Sequence, residues 1–188
     1  MSIPTEIEIA LKSGKLSILE LMVPSDPVER TVLLHPELKA LLKDASGTDG
    51  GQSALRRIGR LQADLEAFVT GKIVTMCLTP REHGVAFMGL LDPAREGTFD
   101  IRSRDPAPGM RVFGRFAMVD VFVALTNEFR SRTPDWDRTQ RQPLADGDSH
   151  LWQFAMIECQ KRWNEIFTNS PITGGTVRDF ISANSILV

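Results

Sequence analysis

The clearest hydrophobic periodicity runs from Ser53 to Gly71, where Leu55, Ile58, Leu61, Leu65, Phe68 and Val69 recur at helical spacing. Serine is a good helix cap and glycine a good helix stop, so the pattern predicts a long helix between them. A second stripe, Trp152, Ala155, Met156, Cys159, Trp163 and Ile166, predicts another helix through Phe167, capped by Asp148 or Ser149. Between them lie apolar, partly β-branched runs at Lys72–Leu78, Val85–Leu91, Thr98–Arg104, Met110–Phe116 and Val119–Thr126. Such runs, separated by turn residues, predict an antiparallel meander of about five strands. Pro80-Arg81-Glu82-His83-Gly84 reads as one of its hairpin turns.

The N-terminal part is less regular. Pro4–Lys12 fits a short helix, although the alternation of Ile7, Ile9 and Leu11 also permits a strand. Leu16–Val23 and Val28–Leu34 read as two strands joined through Pro24-Ser25-Asp26-Pro27, and Pro36–Lys43 as a helix with proline at its first position. Ala45–Gln52 is a glycine-rich loop that sets a possible subregion, 1–44, before the rest. Asn127–Gly147 reads as an irregular connection, Val177–Ala183 as a short helix, and Ile186-Leu187-Val188 as an apolar tail that docks on the core or on a second subunit. The expected fold is α+β: a meander flanked by two long helices, with short N-terminal α/β elements, in a single domain over 1–188.

Composition narrows the partners. With 42% hydrophobic and 24% charged residues the chain can build a core, which excludes disordered and fibrous classes. A net charge of −2 gives no global pull toward nucleic acid or acidic membranes, so any anionic partner must be held by a local patch. Cys77 and Cys159 stand apart in apolar surroundings, as buried thiols of a reducing compartment do. No signal peptide or spanning segment is visible, and cytoplasm is the expected location.

The local patch is sought in 98–116. If Phe99, Ile101 and Ser103 face the core, alternation turns Asp100, Arg102 and Arg104 to the other side. On the next strand Val112, Gly114 and Phe116 face in, leaving Arg111, Phe113 and Arg115 outward. Pairing Arg104 with Arg111, Arg102 with Phe113 and Asp100 with Arg115 then gives four arginines around one ring, with a single carboxylate. Guanidinium forks bind phosphate bidentately and an exposed ring offers a stacking platform, so this face is the candidate surface for nucleic acid or protein. Residues 81–141 hold ten arginines, no lysine and nine acidic residues, so an ordinary paired, solvated face is the competing account.

Other constellations are weaker. Arg56, Arg57 and Arg60 cluster near the start of the first long helix, but Asp49-Gly50-Gly51-Gln52-Ser53 lacks the lysine and spacing of a phosphate-binding loop. His35, His83 and His150 have no partner at metal-ligand spacing, which leaves no metal and no cofactor expected. His83, beside Arg81 and Glu82, is the one histidine with acid–base groups next to it in sequence. Glu158 lies beside the apolar stripe of its helix, where burial would require a partner. Trp136, in Thr133-Pro134-Asp135-Trp136-Asp137-Arg138, is a candidate hot spot for a partner. No serine elbow, activated thiol or dinucleotide fingerprint is present.

A helix followed by an arginine-bearing meander, here Thr98–Arg132 with Arg-Val-Phe-Gly-Arg-Phe at its centre, resembles the small ribosome-dependent messenger-RNA-cleaving toxins. The resemblance implies Arg102, Arg104, Arg111 and Arg115 as phosphate contacts; the chain departs from that family in having no tyrosine and in being longer. The leading expectation is a non-enzymatic binding or accessory protein using the arginine face and Trp136. An RNA-processing enzyme and a structural, homodimeric component are the alternatives.

Overall fold

The computed structural model describes residues 1–43, 51–80, 84–107, 109–130 and 150–188. Five helices and eight strands are found among them: α1 (Ile3–Lys12), β1 (Ser17–Ile18), β2 (Thr31–Leu34), α2 (Pro36–Lys43), α3 (Gly51–Val69), β3 (Val74–Cys77), β4 (Met88–Leu90), β5 (Thr98–Ser103), β6 (Gly109–Met118), β7 (Val121–Arg130), α4 (His150–Ile166), α5 (Val177–Phe180) and β8 (Ser185–Leu187). The strands form one sheet in the order β1-β2-β7-β6-β5-β4-β3-β8.

The architecture is α+β in the broad sense, but the sheet is mixed. Antiparallel pairing holds along β4-β5-β6-β7 and between β1 and β2. β2 joins β7 in parallel, and β3 joins both β4 and β8 in parallel. The expected hairpin between β3 and β4 is therefore corrected: Met76 pairs Met88 with the strands running the same way. Turn residues mark where the chain bends, and a connection of this length leaves the direction of the next strand open. The tail docks on its own sheet, where β8 pairs β3 and the Val188 amide donates to the Met76 carbonyl at 2.9 Å.

Alternation along the strands builds two cores. On one face Phe99, Ile101, Val112 and Phe116 pack with Leu61, Leu65 and Phe68 of α3, Leu38 of α2 and Phe180 of α5. On the other, Phe113, Val123 and Leu125 pack with Ala155, Met156, Cys159 and Trp163 of α4 and Ala10 of α1. Residues 1–34 feed both layers, through Val32 and Leu34 on the first and Leu16 and Leu33 on the second.

Two local devices set the geometry of β6. Gly114 sits where the pairing with β7 shifts register, and a Cβ there would lie 2.2 Å from the Val123 carbonyl and 2.5 Å from the Phe122 ring. The β6–β7 turn has neither glycine nor proline; Asp120 takes the left-handed conformation (φ 63°), and its carboxylate accepts from the Ser182 amide at 3.0 Å. Nearby, the buried Arg30 donates to the carbonyls of Phe68, Lys72, Ala183 and Asn184, tying the end of α3 to the start of β8.

Candidate functional site

The faces of β5 and β6 alternate as their sequence predicts, but the register is two residues away from the expected one. Arg102 pairs Arg111, Asp100 pairs Phe113 and Thr98 pairs Arg115. A slip of two keeps every side chain on its face, so the hydrophobic pattern cannot distinguish the two registers. The shorter closure leaves Arg104 outside the strand, exposed, with its guanidinium donating to the carbonyls of Gly84 (3.1 Å) and Ala86 (2.8 Å).

The larger correction concerns exposure. α4 packs across β5, β6 and β7, so the face expected in solvent is an interior layer. Asp100 and Phe113 are 0% exposed, Arg102 and Arg111 7% and Arg115 3%. Buried charge at this density is uncommon and must be paired. Arg102 grips Asp100 through two bonds, Nε to Oδ2 at 3.0 Å and Nη2 to Oδ1 at 3.1 Å, and Arg111 Nη1 donates to the same Oδ2. Glu128 of β7 stands opposite Arg111.

Where this layer reaches the sheet end, a cavity of about 240 Å³ opens, lined by Arg102, Arg104 and Arg111 with Ser103 and Asp105. Arg57 of α3 reaches the same loop, donating to the Ala107 carbonyl at 3.3 Å, while Arg60 of the same cluster pairs instead with Asp64 at 3.1 Å. One member of the helix cluster thus reaches the loop beside the cavity. Arg115 and Phe113 lie deeper, under α4. Arg115 Nε donates to Thr98 Oγ1 at 3.3 Å, and a further bond from its guanidinium reaches the Cys159 thiol. Burial nevertheless dominates that thiol and pushes its pKa up to about 12, so Cys159 is no nucleophile in this state. Trp136 and His83 lie outside the described residues.

A second constellation has no sequence signature beyond the (i, i+4) spacing of Glu158 and Arg162. Arg162 bonds Glu158 (3.0 Å), Glu37 (2.7 Å), the Leu125 carbonyl (2.8 Å) and His35 Nδ1 (3.2 Å). Burial, with the Arg162 charge beside it, lowers the His35 pKa, and the Arg162 hydrogen bond lowers that of Glu158. His35 also lines a cavity of about 500 Å³ with Lys15 and Glu165. This network locks α4 to α2 and β7. Among the described residues no group of three or more metal-ligating side chains converges, and no helix is long and apolar enough to cross a membrane.

No family model, curated protein or solved structure matches the chain. The likeness of Thr98–Arg132 to the messenger-RNA-cleaving toxins therefore rests on its residues alone.

Proposed function

We propose that the protein is a non-enzymatic binding or accessory protein that holds the phosphates of an RNA strand at the arginine-lined end of β5 and β6. The observation that carries the reading is the convergence of Arg102, Arg104 and Arg111 on one cavity. Two of these guanidiniums are fixed in direction by Asp100, so they lose little freedom on meeting a phosphate. Arg104 supplies the exposed approach, and Arg57 supports the neighbouring loop. Because the whole chain carries a net charge of −2, attraction for a polyanion has to come from a local patch of this kind.

Binding of a labelled, mixed-sequence RNA across a salt titration, with the products run on a gel, tests the reading. Three phosphate contacts on a single strand give a slope of log affinity against log salt of about −2. Arg104→Ala is expected to weaken binding while costing about 1 kcal/mol of stability, because it also removes the hydrogen bonds to the Gly84 and Ala86 carbonyls. No binding by the parent chain at low salt would retire the proposal and turn the search to a protein partner. Cleaved RNA would replace it with the enzyme reading.

A further inference from the structure

We infer that the sheet face beneath α4 is a latent extension of this site, a nucleotide subsite in which Arg115 takes a phosphate and Phe113 a base when the first turns of α4 lift. The inference rests on the RNA-binding reading above and adds what the strand would meet beyond the open cavity.

The observation behind it is an incompletely satisfied arginine. Arg115 is 3% exposed, yet its Nη2 has no hydrogen-bond partner, and no carboxylate pairs with it among the described residues. Thr126 Oγ1, on the adjacent strand and also buried, has none either among the described residues. A buried guanidinium that meets only a hydroxyl and a thiol, with no carboxylate among the described residues, is unfavourable, and an apolar side chain of the same volume would pack there without the penalty. A group of that kind suits a state in which something anionic reaches it.

The order of residues along β6 fits a strand of nucleic acid. Arg111, Phe113 and Arg115 share a face at steps of about 7 Å, placing an aromatic ring between two cations. Arg111 already lines the open cavity, so a strand entering there meets Phe113 and Arg115 next.

Among the described residues the cover is held unevenly. Toward its C-terminus α4 is anchored by Trp163, whose Nε1 donates to the Asn169 carbonyl at 2.9 Å, by Phe167 just beyond the helix, and by the Arg162 network. Nearer its start the described core contacts come from Ala155 and Met156, while Phe154 and Ile157 point to solvent at 63% and 59% exposure. Opening from the N-terminal end leaves the anchors in place, and local openings of this kind lie well below global unfolding in free energy.

Cys159 reports the movement, since it lies on α4 against Arg115 and is 0% exposed. In a Cys77→Ala chain it is the single thiol. Saturating mixed-sequence RNA is expected to raise its maleimide labelling rate several-fold. Arg115→Met is expected to keep or raise the melting temperature, weaken RNA binding about tenfold and make the salt slope shallower by about one contact. If RNA binds but labelling of Cys159 stays unchanged or slows, the latent subsite is wrong and the open cavity alone carries binding. If the parent chain binds no RNA, both readings end. The labelling experiment needs no change on the sheet, so it decides even if Arg115→Met fails to fold.

Discussion

The two faces of the sheet are made by the same strands and are both buried, yet one is apolar throughout and the other mixes apolar with charged side chains. Toward α3 and α5 the side chains are aromatic, with Phe116 meeting Phe99, Phe122 and Phe180 at centroid distances of 5.2, 5.3 and 5.4 Å and Phe68 at 6.4 Å. Toward α4 the strands place Thr98, Asp100, Arg102, Arg111, Arg115 and Thr126, all at least nine-tenths buried, among Phe113, Val123 and Leu125. The first face gains its stability from area and edge-on ring contacts, which tolerate no loss of volume. The second must satisfy directional groups, and leaves two of its polar atoms, Arg115 Nη2 and Thr126 Oγ1, without partners among the described residues. A layer that is suboptimal for stability is where a functional demand is expected to lie.

Substitutions on each side can break that contrast. Phe116→Ala, which empties the centre of the aromatic face, is expected to cost about 3–5 kcal/mol in denaturant unfolding. Asp100→Asn removes the carboxylate shared by Arg102 and Arg111, and a loss of about 3 kcal/mol is expected by the same measurement. A loss under about 1 kcal/mol would mean that the polar layer is hydrated and the contrast between the faces is false.

A smaller effect sharpens the comparison at the edge of the polar side. Burial works against the Glu6 carboxylate, but hydrogen bonds from Asn169 and Thr168 outweigh it and hold the pKa at about 2. A carboxylate whose folded pKa lies below its unfolded value stabilises fully above the unfolded value and loses that contribution as pH falls. Glu6 should therefore support the junction after α4 above pH 4.5 and release it progressively toward pH 2. Thermal melts of the parent and Glu6→Gln should converge across that window, and parallel curves would remove Glu6 as the cause.

Much of the local structure could be read in the chain. α2 coincides with the expected Pro36–Lys43, and α3 and α4 follow the predicted stripes, because an amphipathic pattern and its end residues are local properties. The facing of β5 and β6 was equally legible, since alternation assigns each side chain a side. Their register was not, because Arg102 opposite Arg111 and Arg104 opposite Arg111 obey the same alternation. Arg162 meeting His35 across 127 positions, and Arg30 reaching Ala183 across 153, leave no periodic trace.

The sequence by itself determined the helical stripes of α3 and α4 and which side of each strand holds Asp100, Arg102, Arg111, Phe113 and Arg115. It left Pro4–Lys12 open between helix and strand, and 127–130 and 185–187, which are strand, read as connection and tail. Only the tertiary structure decided that β2, β3 and β8 enter the sheet in parallel and that α4 lies over the arginines. The reason is physical. Periodicity reports that a strand has two sides, whereas whether a polar side meets water or a helix depends on long-range packing.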